Sequence, residues 1–493
     1  MVRRILLHGL LPALLPGMAA LALYAHTTTF GYVRWDDYQL ILENPLVRGF
    51  SPKIFWSYDP ELYIPFTLLT YQIEYALTGG AAWMAHAINV LLHAANATLV
   101  WMLVRHLTQR PWIAAGAALL FASHPLAVEA VAWASGRKEL LWTLWVLAAA
   151  LLLLRRRAGQ STCALALAAL SKPTAVVAPL LLRLTGVPWK QLWPAGTIAA
   201  ITLAIAYGGK ASTATVLSPV QVAALGLQSI ADVLLRFVRP TGLSPLTTAA
   251  APSISAAALP AIVIAALLTV AWKLRLRAPL AWTGMLWFLA SLAPSLLTYM
   301  RSNEIQLAAD RYAYMPLVGA ALVAAELLQW GARKAPRATL TIAACIFAAL
   351  SGLTLMQASL WKDSATLFAA AVERTPRSAV AWNNHGDALL AAGELPRAEA
   401  AFARALDLRP DYADALANMG AVRGRQERYD EAESYLLSAL SLKPDHVQAT
   451  FNMAGVLWKR GDVQSALIAY RRVLELKPDF APALRQVKLL ERQ

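Results

Sequence analysis

The chain has 493 residues, of which 58% are hydrophobic and only 15% charged, whereas a soluble globular chain carries about 25% charged residues. A mean hydropathy of +0.48 over this length excludes an ordinary water-soluble protein and favours a membrane protein. The formal charge of +15 comes from basic residues that cluster between apolar segments. This pattern is typical of cytoplasmic loops, so we expect membrane lipids as partners and no nucleic acid.

Residues 1–357 are predicted to form a polytopic membrane domain, because a spanning helix needs about 20 apolar residues and many such segments recur. Arg3 and Arg4 before the first segment predict a cytoplasmic N-terminus and an uncleaved first span. The two cysteines, Cys163 and Cys345, lie in apolar segments and are expected to be buried free thiols. The roughly eleven predicted spans are 5–25, 83–104, 112–130, 138–154, 161–171, 174–184, 190–207, 258–274, 279–299, 312–330 and 338–357.

The basic clusters after several spans predict which loops face the cytoplasm. All the basic clusters lie on the cytoplasmic side only if the segment 161–184 crosses the membrane twice or if the segment 221–238 crosses it once. We favour the first arrangement, in which two short helices meet at an external tip that carries Lys172. The segment 221–238 then lies in the external interface or re-enters the membrane. We expect a bacterial inner membrane with the C-terminal domain in the periplasm. The predicted external loops are 26–82, 124–137, 208–257 and 300–311.

The first external loop carries the adjacent acids Asp36 and Asp37 after an aromatic stretch. Neighbouring carboxylates can act as a general base and as ligands of a hard divalent cation such as Mg or Mn. An Asp-Asp pair alone is a weak signal, and solvated loop charges are the simpler interpretation. Its position in the first external loop of a protein with many spans favours a catalytic or metal-binding role.

Three later external segments carry further charged residues. Charges close to a membrane usually face a cavity or pathway, and a joint set of bases and acids suits an anionic, phosphate-bearing ligand. Each residue alone is better explained as an ordinary charge at the membrane interface, and only their joint arrangement favours a ligand site. The residues are His124, Glu129, Arg137 and Lys138 in the second loop, Lys172 at the tip, and Arg301, Glu304, Asp310 and Arg311 in the last loop.

The C-terminal part of the chain has an internal repeat of 34 residues, the period of the tetratricopeptide repeat. Prolines recur at that spacing, at 376, 410, 444 and 478. We predict an all-α chain in which a connecting half repeat, 358–376, joins the membrane domain to a repeat domain, 377–493. That domain is expected to hold three repeats and a C-terminal helix in a superhelix.

Three asparagines also lie 34 residues apart, at Asn384, Asn418 and Asn452, on the predicted first helix of each repeat. A row of amides there can pair with the backbone of an extended peptide, and it resembles the asparagine ladder of the nucleocytoplasmic O-GlcNAc transferases. The alternative is that these side chains only cap or bridge neighbouring helices. We favour binding of an acceptor peptide.

The Asp-Asp loop followed by Asn-Pro, the segment HPLAVEAVAWASGRKELL, the Ser-Lys pair at 171–172, DRYAYMPLVG and the trailing repeats occur in a characteristic order. Together they resemble the transmembrane and tetratricopeptide-repeat protein O-mannosyltransferases and their bacterial relatives. The resemblance implies a GT-C membrane fold and a donor sugar, with mannose as the candidate, carried on polyprenyl phosphate. It also implies transfer to Ser or Thr of extracytoplasmic proteins.

The resemblance further implies roles for matching residues. Asp36 or Asp37 would be the general base or hold a metal, and the donor phosphate and sugar would be bound by Glu129, Arg137, Lys138, Lys172, Asp310, Arg311 and Tyr312. The chain departs from the pattern at Ile64, where an Arg is common. The alternatives are a transferase acting on lipid-linked glycans and a non-enzymatic, membrane-anchored repeat scaffold.

Overall fold

A computed structural model describes residues 9–58, 62–208, 218–247, 253–294 and 307–492. These residues form α-helices and short 3₁₀ or π turns, with no β-strand among them, so the predicted all-α class is confirmed. The chain divides into two compact units, Met1–Asp363 and Ser364–Gln493. Arg301 and Glu304, predicted in the last external loop, lie outside the described residues.

In the described part of the first unit, a helix overlaps each predicted spanning segment. Helices α2 and α10 lie outside those segments. Proline begins α2, α4, α10, α12, α13 and α14, because its fixed φ and missing N–H are tolerated at the first helical position. The helices are α1 (Leu11–Tyr24), α2 (Pro65–Thr78), α3 (Ala82–Thr108), α4 (Pro111–Ser123), α5 (Val128–Ala132), α6 (Arg137–Leu154), α7 (Ala158–Ser171), α8 (Ala178–Leu184), α9 (Trp193–Gly208), α10 (Pro219–Val238), α11 (Ile254–Leu274), α12 (Pro279–Leu292), α13 (Pro316–Lys334) and α14 (Pro336–Ser359).

Four helices of the described chain, α3, α10, α11 and α14, are long and apolar enough to cross a membrane. A fifth span results if α4 and the segment Pro125–Ala132, which are bent by 55°, count as one. These helices indicate a membrane protein, while the predicted number of about eleven spans stays a prediction. Cys163 and Cys345 are exposed, so the expectation that they are buried is wrong: both lie on outward faces of apolar helices.

The region 158–184 contains two short helices, as predicted, but neither has the length of a full span. Helix α7 has 14 residues and α8 has 7, which correspond to about 21 Å and about 10 Å at 1.5 Å per residue. Helix α10, which we expected to lie in the interface or to re-enter the membrane, has 20 residues and is long and apolar enough to span it. By length, α10 is therefore the better candidate for the crossing that the basic clusters require.

Helix α3 carries a buried polar stripe at His86, Asn89, His93 and Asn96, one helical face by its three- and four-residue spacing. Asn89 donates to the carbonyl of Trp133 at 2.9 Å and contacts two neighbouring carbonyls. His93 bonds through both ring nitrogens, and Asn96 donates to Leu140 O. The stripe thus satisfies backbone groups where the chain between α4 and α6 leaves regular helix.

Gly136 lies in this irregular segment, where the backbone folds tightly onto itself. A Cβ atom at this position would lie 2.4 Å from the carbonyl oxygen of Ala130, closer than any real contact. Only glycine therefore fits here, between Ser135 and Arg137, the first residue of α6.

We expect Gly136→Ala to lower the thermal unfolding temperature of the detergent-solubilised protein, since overpacking typically costs about 1–3 kcal/mol. Gly352→Ala is the matched control, because no atom lies within 4 Å of its Cβ position and alanine is favoured inside helices. Equal unfolding temperatures for the two variants would contradict the tight packing of the segment.

The second unit is a superhelix of paired helices, which confirms the predicted tetratricopeptide repeats. Small residues on each first helix face bulky residues on the second: a Cβ at Gly386 would lie 2.6 Å from the ring of Phe402, and one at Gly420 would meet Leu436. The helices are α15 (Ser364–Arg374), α16 (Ala379–Ala391), α17 (Leu395–Leu408), α18 (Ala413–Arg425), α19 (Tyr429–Leu442), α20 (Val447–Lys459), α21 (Val463–Leu476) and α22 (Ala481–Leu490).

Candidate active site

Charged side chains from four separate segments meet around two aromatic rings in the first unit. The ammonium of Lys138 lies 3.6 Å from a carboxylate oxygen of Asp36 and 5.6 Å from the ring centre of Trp133. The guanidinium of Arg311 also lies over Trp133, at 5.2 Å. The ring of Tyr312 contacts Arg311 at 4.9 Å and the ammonium of Lys172 at 4.8 Å. We call Asp36, Glu129, Lys138, Lys172, Arg311 and Tyr312 the charged cluster.

The two adjacent aspartates have different environments. Asp37 is fully buried, and its carboxylate accepts hydrogen bonds from the amides of Val33 and Ser135, each at 2.9 Å, and from the Ser135 hydroxyl at 2.6 Å. Asp36 keeps 20% of its side chain exposed. Asp37 therefore fixes the first loop to the segment before α6, while Asp36 is the carboxylate that a substrate can reach.

Burial raises the pKa of Asp37 to about 6, although the hydrogen bonds from Ser135 and Val33 oppose this rise. The carboxyl lies in the loop between α1 and α2, outside the candidate spans. It is ionised at neutral pH, and in that state all three of its partners act as donors.

Arg311 is held by Glu129 of α5. One oxygen of Glu129 accepts the backbone amide of Arg311 at 3.0 Å, and the other forms an ion pair with its guanidinium. The ring of Trp35, which stacks on Trp133 at 5.1 Å, also lies below this guanidinium. Glu129 thus orients the cation, and the aromatic rings cover its faces.

Lys172, at the break between α7 and α8, pairs with Glu139, whose second oxygen accepts the indole N–H of Trp142 at 2.9 Å. Lys172 and Glu139 are 5% and 1% exposed, so each charge depends on the other. Sequence analysis did not assign Glu139 a role. Its position directly after Lys138, two residues into an apolar helix, was a usable signal.

Asp310 pairs with Arg236 of α10. Arg236 also lies 2.5 Å from Asp232 and donates to Ala308 O at 2.6 Å. Burial raises the pKa of Asp310, while the Arg236 guanidinium opposes this rise. Arg236 was missed by sequence analysis, although a charged pair four residues apart on an apolar helix is an unusual feature.

Arg137 has a different environment from the other predicted donor-binding residues. It is fully buried, pairs with Glu74 of α2, donates to Asn89 at 2.9 Å and to the carbonyl of Ala85 at 2.8 Å, and lies over the ring of Tyr71. These internal partners anchor α2 and α3 to the start of α6. Its predicted contact with a donor phosphate stays a prediction.

The described residues contain no group of three or more His, Cys, Asp or Glu side chains that could hold a metal ion. Both oxygens of Asp37 accept hydrogen bonds, and Asp36 is flanked by the ammonium of Lys138. This arrangement does not fit the predicted Mg or Mn site, and no step of the mechanism below involves a metal.

In the second unit, two of the three predicted asparagines form bonds between successive repeats. Asn418 donates to Asn383 at 3.0 Å, and Asn452 donates to the carbonyl of Ala417 at 3.3 Å. Asn384 accepts a long bond of 3.4 Å from its neighbour Asn383 on the same helix. All three are half-buried, so each keeps part of its side chain at the surface.

The pKa of Asp37 predicts a pH dependence of stability that depends on this one side chain. Its native pKa of about 6 exceeds the value of about 3.9 for an exposed Asp. The native state therefore binds the proton more tightly, and the contribution of Asp37 to stability falls as pH rises from about 4 to about 6. The unfolding temperature of the wild type relative to Asp37→Asn should decrease over that interval and level off above it. Parallel profiles would contradict the burial of an ionised Asp37.

Comparison with known proteins finds two families in the second unit. The Cilia and flagella-associated protein 70 middle TPR-like domain matches residues 357–459, and the Tetratricopeptide repeat family matches residues 447–480. Among solved structures, the first TPR of Spaghetti (RPAP3) bound to the HSP90 peptide SRMEEVD is 20% identical, covering 24% of this chain and 92% of that one, with a TM-score of 0.23. The crystal structure of MamA is 18% identical, covering 26% and 75%, also with a TM-score of 0.23.

Curated relatives carry the name protein O-mannosyl-transferase. Tmtc2 of Drosophila melanogaster is 35% identical over 134 residues, which are 24% of this chain and 14% of the relative. Tmtc1 of the same species is 35% identical over 194 residues, 35% and 22% of the two chains. TMTC1 of Homo sapiens is 32% identical over 161 residues, 29% and 18%. The chain thus spans less than a quarter of the length of these relatives.

Proposed function

We propose that the protein is a glycosyltransferase that moves a sugar from a polyprenyl-phosphate carrier to Ser or Thr hydroxyls of extracytoplasmic proteins. The observation that carries this proposal is the charged cluster, in which a reachable carboxylate, Asp36, lies beside Lys138, and the cations Lys172 and Arg311 lie over the ring of Tyr312. The names of the relatives support mannose as the sugar. The proposed location is a bacterial inner membrane, with the repeats in the periplasm.

Asp36 is the proposed general base. As the acceptor hydroxyl oxygen attacks the anomeric carbon, Asp36 takes the hydroxyl proton, and the bond from that carbon to the phosphate oxygen breaks. The lipid phosphate leaves with the bonding electrons, and the three cations of the cluster offset its charge. General-base catalysis typically contributes about 10²–10⁴-fold, and preorganised charges contribute further where water is excluded.

Each cation already has a carboxylate partner, so a donor phosphate must compete with an existing pair. Arg311 and Lys172 are bound by hydrogen-bonded ion pairs, whereas Lys138 lies 3.6 Å from Asp36, beyond hydrogen-bond distance. Lys138 is therefore the cation that can turn to the phosphate at the lowest cost. Its movement would also release Asp36 to act as the base.

The two aspartates give a sharp test. Asp36→Asn should reduce transfer by about 10²-fold or more, because the base is lost. It should lower the unfolding temperature less than Asp37→Asn does, because Asp36 keeps 20% of its side chain exposed and lies 3.6 Å from Lys138. Asp37→Asn should lower both, since an amide cannot accept from Val33 and Ser135 in the same way. The assay uses purified protein, radiolabelled polyprenyl-phosphate mannose and a periplasmic extract.

Several outcomes would overturn the proposal. Full activity in Asp36→Asn would exclude this base. Label in glycolipid instead of protein would favour a transferase acting on lipid-linked glycans. Absence of transfer from several lipid-linked sugars, with the protein folded, would favour the membrane-anchored repeat scaffold.

The repeats are proposed to dock the acceptor polypeptide through their asparagines. Asn384→Ala is the cleanest variant, because within the part of the chain that the structure describes its side chain has a single, long hydrogen bond. It should raise KM for the acceptor about three- to tenfold, the effect of one neutral hydrogen bond, with kcat unchanged. Asn418→Ala, which also removes a bond to Asn383, should additionally lower stability. An unchanged acceptor KM in both variants would leave the asparagines a bridging role only.

A further inference from the structure

Helix α10 carries a line of polar side chains that the proposed mechanism does not use. Asp232 lies four residues after Gln228 and three after Ser229, and Arg236 lies four after Asp232. The four side chains therefore share one face of the helix. The helix is otherwise apolar enough to cross a membrane. Polar groups in such a helix are costly and usually face a cavity or pathway.

Three atoms on this face are buried, and none has a hydrogen-bond partner within the described chain. They are Nε2 of Gln228, Oγ of Ser229 and Nε of Arg236, and the Ser229 side chain is fully buried. Nε of Arg311 in the charged cluster has the same property. More than nine in ten buried polar groups find a partner in native proteins, so a row of unsatisfied ones points to a ligand.

The polar face of α10 continues directly from the charged cluster. Arg236 pairs with Asp310, and the next residue along the chain, Arg311, is one of the cations proposed to face the donor phosphate. From Arg236 back to Gln228 the helix rises by about 12 Å. A ligand whose phosphate lies at Arg311 could therefore extend along this face.

We infer that the polar face of α10 is a subsite for the hydroxyl groups of the donor sugar. An amide, a hydroxyl, a carboxylate and a guanidinium together offer both donors and acceptors, as the alternating hydroxyls of a sugar ring require. This inference rests on the proposed function, because it assigns the sugar of the donor whose phosphate the charged cluster would bind.

The test compares binding of two soluble probes, citronellyl phosphate mannose and citronellyl phosphate, to the detergent-solubilised protein by calorimetry. Ser229→Ala and Gln228→Met each remove a group without an internal partner, so neither should lower the unfolding temperature. Each should weaken binding of the mannosyl probe about three- to tenfold and leave binding of citronellyl phosphate unchanged.

Ser291→Ala is the matched control. Ser291 is also a buried serine on an apolar helix, α12, but its hydroxyl donates to Trp287 O at 2.7 Å. This variant should cost stability and leave the binding of both probes unchanged.

Three other outcomes can be told apart. Wild-type protein that binds neither probe would overturn the proposed function itself. Equal binding of the mannosyl probe by wild type, Ser229→Ala and Gln228→Met would overturn the subsite. It would leave water as the partner of the polar groups on this face. A parallel loss of both probes in the two variants would also overturn it, by showing a structural effect on the phosphate site.

Discussion

The architecture of the first unit depends on one constraint: backbone polar groups that leave helical geometry away from water must still find partners. The segment between α4 and α6 leaves regular helix at several points, and Asn89 of α3 donates to the carbonyl of Trp133 within it. Asn96 of α3 donates to the carbonyl of Leu140 in the first turn of α6. Gly136 allows the tight fold of the same segment. Without these contacts, Glu129 and Lys138 would lack fixed positions, and no charged cluster could form.

The short turn before α13 brings together residues of the charged cluster that are far apart in the sequence. In the turn Asp310–Ala313, three consecutive side chains point to three different elements: Asp310 to Arg236 of α10, Arg311 to Glu129 of α5, and Tyr312 to Lys172 after α7. A buried charge that loses its partner is strongly destabilising. Each pair therefore holds its helix to the turn, and the arrangement that positions the cations also holds the unit together.

The sequence predicted much of this organisation and missed a definable part. The helices of the first unit could be predicted from the length of the apolar segments, and the repeats from the strict 34-residue period. Both are local properties of the chain. The grouping of Asp36, Lys138, Lys172 and Arg311 followed from assigning loops to one side of a membrane. The separate environments of Asp36 and Asp37 could not be predicted. Nor could the pairing of Glu139 with Lys172 and of Arg236 with Asp310, since these contacts depend on which elements touch in three dimensions. The same holds for Arg137, whose guanidinium is taken up by Glu74 and Asn89.

The difference between the adjacent aspartates explains why a catalytic loop would carry two. A base in a flexible loop would meet the acceptor in many orientations, and misplacement costs rate. Asp37 removes that freedom by binding the first loop to Ser135, two residues before α6, where Lys138 lies. The anchored loop thereby holds Asp36 near Lys138, 3.6 Å from its ammonium in this structure. A single aspartate could supply the base or the anchor, but its oxygens could not do both.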